Sequence, residues 1–241
     1  SLAGQTAGAA WKHDLNDDAR LTVGWFLGER RDNDLVLDKT ALMQALLSRH
    51  FGDTVRVDFG VGVLREYNAA LASQPQGAFG HLGRTDSGLA SLTGHIELTS
   101  SVDLDLSYTR ANADLSAAEG GLLGNWTNIS ADSASLSLTV NDFVANGDNV
   151  GIMISQPLRV SKGAATLTAP IARDMDGNLV RESERVNLSP SGRELDLDLV
   201  YRYALSGTAI AKSFLQLRHE PGHDRDAPSG AIIGARLDIA F

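Results

Sequence analysis

The 241-residue chain reads as all-β, an antiparallel transmembrane β-barrel of about 12 strands, on three observations. Segment after segment alternates apolar and polar residues with the period of two that strands impose. The connections between these segments fall into a short class and a long class that alternate along the chain. No apolar run approaches the ~18 residues of a transmembrane helix, whereas a spanning strand needs only ~9 to 11 alternating residues, so a mean hydropathy of -0.10 is compatible with a membrane.

Residues 1–14, rich in Ala and Gly, precede the first turn and are read as a linker or a segment lying in the lumen, with an extra strand as the alternative; residues 15–241 form the barrel. The first barrel strand is expected over 19–28, with Leu21, Val23, Trp25 and Leu27 on one face. Next comes 38–50, whose Ala41-Leu42-Met43-Gln44-Ala45-Leu46-Leu47 suits a helix by composition as well as it suits a strand. Residues 54–63 set Val55, Val57, Phe59, Val61 and Val63 against Arg56, Asp58, Gly60 and Gly62. Strands over 87–98, 101–108, 131–140, 150–160, 164–172, 180–188, 193–203, 208–218 and 231–241 complete the set.

Asn16-Asp17-Asp18, Gly52-Asp53, Thr99-Ser100, residues 141–149, Asp176-Gly177 and Ser206-Gly207 read as tight turns, where Gly and Asx accept positive φ. The long connections are 29–37, 67–86, 111–130 and 219–229. If Phe241 ends on the periplasmic side and direction alternates, the tight set lies inside and the long set outside, as in bacterial barrels. Ser161-Lys162-Gly163 and Ser189-Pro190-Ser191-Gly192 are then short external hairpins.

The same parity gathers a polar face. Arg56, Asp58, Asp103, Asp105, Glu194, Asp196, Asp198, Arg202, Lys212, Arg236 and Asp238 are expected in the lumen, with Arg218 beside them, where mixed charge holds a hydrated interior. The apolar face, which includes Leu197 and Leu237, is expected against lipid.

The final strand alternates strictly and stops on an aromatic, and Leu237, Ile239 and Phe241 resemble the insertion signal that the barrel assembly machinery reads in outer-membrane barrels. The stretch from Gly151-Ile152-Met153-Ile154-Ser155-Gln156-Pro157-Leu158-Arg159-Val160, through Gly163-Ala164-Ala165 and Leu188-Ser189-Pro190-Ser191-Gly192-Arg193-Glu194-Leu195, to Pro221-Gly222-His223-Asp224 resembles the tail of alphaproteobacterial subtilisin-family serine peptidases. On these residues the chain resembles the C-terminal translocator domain of autotransporters, clearly over 150–241 and generally before. The resemblance implies an outer-membrane barrel of about 12 strands that anchors and helps export an upstream passenger, a subtilisin-like peptidase. Its partners would be outer-membrane lipid, the assembly machinery and that passenger. The departure lies at the N-terminus, where translocators carry a longer helix than residues 2–13 allow.

Bond-making chemistry finds little support. His219-Glu220-Pro221-Gly222-His223 spells a zinc motif, but Pro221 and Gly222 oppose the helix that would align the two imidazoles. Asp174-Met175-Asp176-Gly177-Asn178 has the start of a calcium loop without its later bidentate Glu, and reads as a hairpin turn. His223, Asp224 and Asp226 form at most an exposed loop cluster. No nucleophile elbow, dinucleotide fingerprint or phosphate loop occurs, so no catalytic residue, cofactor or metal is expected. The absence of cysteine removes disulfides and thiolate sites, and a net charge of -9 without a basic stripe argues against nucleic acid. A start at Ser1 suggests an excised domain or a processed product. The competing readings are a free-standing small channel and a secreted β-sandwich that binds a ligand.

Overall fold

The computed structural model describes residues 5–32, 35–71, 82–117 and 121–239. Among these residues fourteen strands form, and eleven of them make one antiparallel sheet. In order across it lie β1 (Gln5–Asn16), β2 (Ala19–Asp32), β3 (Leu35–Phe51), β4 (Val55–Tyr67), β5 (Leu82–Thr99), β6 (Val102–Ala117), β8 (Ile129–Asn141), β9 (Asp148–Lys162), β12 (Leu195–Ser206), β13 (Ala209–His219) and β14 (Gly230–Ile239). The remaining strands, β7 (Leu123–Gly124), β10 (Ala164–Arg173) and β11 (Leu179–Asn187), form a small second sheet. Among the described residues no ladder joins β1 to β14, so the large sheet is open along that seam.

Residues directly opposite in a ladder share a face, so register decides which side chains lie together. The row Val63, Gly88, Asn112, Ser130, Lys162 crosses four ladders on one face; the row Arg56, His95, Asp105, Ser137, Met153, Asp198, Gln216 crosses six on the other. Burial then shows which face is enclosed. Val63 is 55% exposed and Met43 64%, whereas Glu66, Thr85 and Ser87 of the polar face are fully buried. A soluble sandwich reverses that order, because its apolar faces must meet in a common core. Here the exposed face carries Trp11, Trp25, Leu47, Phe59, Val61, Leu136, Ile152, Ile154, Leu197, Leu199 and Leu237, which only a lipid-like solvent tolerates over so wide an area.

β3 is a strand from end to end. Its helix-compatible composition yields to ladders on both sides, which place Met43, Ala45 and Leu47 outward and Leu42, Gln44 and Leu46 inward. Residues 5–14 of the N-terminal stretch pair with β2 as β1, setting Trp11 and His13, stacked 5.2 Å apart, on the apolar side and Lys12 and Asp14 on the polar one.

The tight turns sit at one end of the large sheet. Gly52 (φ 66°) closes β3 to β4. Asp148 closes the 142–147 turn, its carboxylate accepting from the backbone N–H groups of Phe143, Val144 and Ala145. The other connections leave from the opposite end, and the one expected over 29–37 is not long, because the β2–β3 ladder continues through Arg30↔Asp38 to Asp32↔Leu35.

The segments 164–172 and 180–188, expected as barrel strands, are not in the large sheet. They are β10 and β11, a hairpin leaving the long-connection end after β9 and returning there before β12. The reason is chemical: Arg181-Glu182-Ser183-Glu184-Arg185 puts charge on both faces of β11, and a spanning strand with charge at mid-membrane costs ~2 to 4 kcal/mol at each lipid-facing Arg. Hence the turn at Asp176-Gly177 is this hairpin's tip, not a turn at the short-connection end. Ser161-Lys162-Gly163 and 189–192 are its two junctions with the large sheet, not hairpins between neighbouring strands.

Candidate functional site: the enclosed polar face

The register brings ten of the eleven expected lumen residues to the polar side of β4 to β14, while Glu194 precedes β12 and its carboxylate accepts from the Gly222 N–H at 2.7 Å. Arg56 and Asp58, two residues apart on β4, form an ion pair at 3.4 Å. Across the β5–β6 ladder, His95 Nδ1 lies 2.7 Å from Asp105. Asn141 donates to Asp103 at 3.3 Å, and the Ser107 and Ser135 hydroxyls meet at 2.8 Å. On β13 and β14, Lys212 reaches Asp238 at 3.0 Å, with Arg236 on the same carboxylate. These pairs are half exposed to the interior, so each contributes ~0 to 1 kcal/mol and together they serve polarity more than stability.

On β12 and β13 the charges of this face are sorted along the strands. At the long-connection end, Glu194 and Asp196 are buried and Asp198 follows two residues on. Arg218 stands 3.9 Å from one Asp196 oxygen while the other has no hydrogen-bond partner among the described residues. At the short-turn end Arg202, Lys212 and Arg236 are directly opposite one another across two ladders. Like charges so placed repel, and Asp238 is the carboxylate that relieves them.

Two glycines make room for inward aromatics. A Cβ at Gly234 would collide with the Phe214 ring, and one at Gly8 would meet Phe26 at 2.6 Å. Small residues, Ala10, Thr22, Gly24, Gly60, Gly62 and Ser91, also lie on the polar side of β1 to β5, among larger ones such as Leu42, Gln44, Leu46 and Leu64. A cavity of about 420 Å³ opens at the short-turn end, lined by Lys12, Asp14, Arg20, His50, Arg56 and Asp58 among others.

Lys12, Asp14, Arg20, His50 and His95 were not among the residues expected there. The signal existed in Trp11-Lys12-His13-Asp14, which alternates as the later strands do. Glu66 and Thr85 were missed because β4 and β5 run past the expected ends at 63 and 87.

Of the insertion-signal residues, Leu237 and Ile239 lie on the exposed apolar face of β14, and Phe241 lies outside the described residues. The His219 to His223 stretch ends in a single 3-10 turn over Pro221–His223, with Glu220, Gly222 and His223 all at positive φ. His223 is buried and committed: its Nδ1 accepts from the Glu194 N–H at 2.9 Å and its Nε2 donates to the Leu158 carbonyl at 3.1 Å. It therefore pins the last long connection to β9 and β12, rather than presenting a metal ligand. Asp174 is likewise occupied, accepting from the N–H groups of Asp176 and Asn178 and from the Asn178 amide.

Comparison with known proteins returns a likeness of fold. A solved structure of OmpT (in-vitro folded), an outer membrane protein of Vibrio cholerae, superposes with a TM-score of 0.52 at 15% identity, covering 95% of this chain and 61% of that one. The chain thus spans less than two thirds of the length of the protein it matches. No family model matches the sequence, and no curated relative does. The fold is that of an outer-membrane β-barrel protein: an antiparallel sheet with its apolar side outward and its polar side enclosed.

Proposed function

We propose that the chain is a bacterial outer-membrane barrel that anchors an N-terminal passenger, a subtilisin-like peptidase, and helps export it to the cell surface. The observation that carries this reading is the direction of β1. It starts at the long-connection end and runs toward the tight turns, so polypeptide joined ahead of it meets the sheet on the side taken as external. Support comes also from the resemblance of 150–241 to the tails of exported peptidases. The barrel itself does no bond chemistry in this reading, binds no cofactor, and depends on outer-membrane lipid and the assembly machinery.

The test is a fusion of a reporter domain ahead of β1, made in a Gram-negative host. The reporter should be cleaved by protease added to intact cells while the barrel stays heat-modifiable on detergent gels. A folded, membrane-inserted barrel whose reporter stays protected overturns the export role.

A free-standing channel is the second reading, favoured by the mixed charge of the polar face and by the row of Arg202, Lys212 and Arg236 at its short-turn end. It predicts ion conductance in planar bilayers without a passenger, with selectivity that changes on R202Q/K212Q/R236Q.

A further inference from the structure

The small sheet does more than decorate the rim. Between it and the outward face of the large sheet lies a cleft of about 760 Å³. One wall is Asn112, Ser130 and Lys162, which the register places on the same outward face as Val63. The other is Arg185, Asn187 and Ser189, from β11 and the connection that follows. Thr127, Asn128 and Ser161 contribute further polar atoms, and no carboxylate lines the space.

The hydrogen bonds already made inside this cleft turn it into a set of donors. The Ser130 hydroxyl donates to Asn112 Oδ1 at 2.8 Å, and the Ser189 N–H donates to Asn187 Oδ1 at 3.0 Å. Both amide oxygens are thereby used, and both amide nitrogens remain to donate into the cleft. Lys162 and Arg185 have no ion-pair partner among the described residues. Asp132, the carboxylate nearest along the Ser130 strand, accepts instead from Gln156 Nε2 at 3.1 Å. In a chain of net charge -9 this is a local concentration of positive charge and donors.

Its height on the wall selects the ligand. Along the same strands and the same face, Tyr108, Leu136 and Ile154 belong to the exposed apolar band. Asn112 lies four residues beyond Tyr108 toward the long-connection end. At ~3.3 Å per residue and a tilt of ~40°, that is roughly 10 Å above the ring, the level of lipid headgroups. The volume falls within the ~300 to 1,000 Å³ of sites for sugar-sized ligands and exceeds what one phosphate fills.

We infer that this cleft binds the phosphorylated sugar headgroup of an outer-leaflet glycolipid, with Lys162 and Arg185 on the phosphate, the Asn112 and Asn187 amides on phosphate or hydroxyl oxygens, and the acyl chains against the apolar band below. The inference rests on the reading of that band as lipid-facing.

The test uses the folded chain in neutral detergent and native mass spectrometry with five probes: a phosphorylated disaccharide glycolipid, its dephosphorylated form, phosphatidylglycerol, the acyl-free phosphorylated disaccharide, and inorganic phosphate. Wild type should retain the phosphorylated glycolipid at least about tenfold more tightly than any of the other four, since charge-assisted hydrogen bonds are the strong ones. K162Q/R185Q should lose that preference, N112A/N187A should weaken it, and R181Q, which alters β11 outside the cleft, should leave it unchanged.

Equal retention by K162Q/R185Q and wild type overturns the site. Equal binding of phosphatidylglycerol reduces it to charge alone and overturns the sugar. Equal binding of the acyl-free disaccharide or of phosphate overturns the lipid source. Heat-modifiable migration of each variant shows that it is folded. Loss of that behaviour in wild type strikes the barrel reading itself, whereas failed binding by a heat-modifiable wild type overturns only the cleft.

Discussion

The eleven-stranded sheet, with strands of 10 to 18 residues, and the β10–β11 hairpin, with strands of 10 and 9, both pair as antiparallel ladders, yet only the first spans. In β12 every second residue from Leu195 to Tyr203 is Leu or Tyr and faces outward, and the charged residues all face in. In β11 the outer and inner faces both carry charge, and the whole strand from Leu179 to Glu184 is exposed. Regular pairing makes a strand; one face free of charge over the hydrocarbon thickness makes a transmembrane strand.

The sharpest way to break that distinction is to give a spanning strand what the hairpin already has. Leu197→Arg puts a guanidinium on the lipid face and should destabilise the folded protein by ~2 to 4 kcal/mol, seen as a lowered denaturant midpoint in liposomes and lost heat-modifiability. Leu179→Arg adds the same charge to β11, whose side chains already meet water, and should change the midpoint by no more than ~0.5 kcal/mol. Equal losses at the two positions would remove the assignment of lipid to one sheet and water to the other.

The comparison within a single strand is smaller. Asp198 is adjacent to Leu197 but faces in, so Asp198→Leu forfeits only a half-solvated charge and should cost ~1 kcal/mol or less by the same measurement. A cost matching that of Leu197→Arg would mean that the faces are assigned wrongly. Smaller again is excision of the hairpin: replacing 164–187 with a short Gly-Ser linker should leave insertion and heat-modifiable migration intact, because β9 and β12 pair directly through Asp196↔Ser155 to Tyr203↔Asp148 without it. Failure to insert would show that the small sheet is needed for folding and does not merely stand on the rim.

These contrasts also explain what sequence could and could not reveal. Period-two alternation located β4, β6, β8, β12, β13 and β14 and sorted their faces, because each strand carries its signal locally. Alternation alone admits β10 and β11 as barrel strands; what excludes them is that neither face of β11 is free of charge, with Arg181 and Arg185 on one and Glu182 and Glu184 on the other. β1 is ambiguous in the sequence because a thirteenth strand makes an odd count and its small side chains also suit a lumen segment, although Trp11 and His13 against Lys12 and Asp14 carry the strand pattern. The cleft at Lys162 and Arg185 was illegible for another reason: its walls come from strands far apart in sequence, and only folding brings them together.

The gentlest probe acts at the hairpin tip, which lies in water on any version of the comparison. Hydrogen bonds from the Asn178 side chain and backbone, and from the Asp176 N–H, hold the Asp174 carboxyl below the usual carboxylate range. A carboxyl depressed on folding stabilises the tip fully above its unfolded value of ~3.9, and that contribution is lost as pH falls through the lower folded value. Amide exchange at Asn178 should therefore stay protected from neutral pH down to ~4 and open below it, while β12 amides stay closed over the same range. Asp174→Ala should open the Asn178 amide at every pH and leave β12 untouched. Coupled opening of β12 would show that the hairpin and the spanning sheet are one cooperative unit rather than two regions held by different solvents.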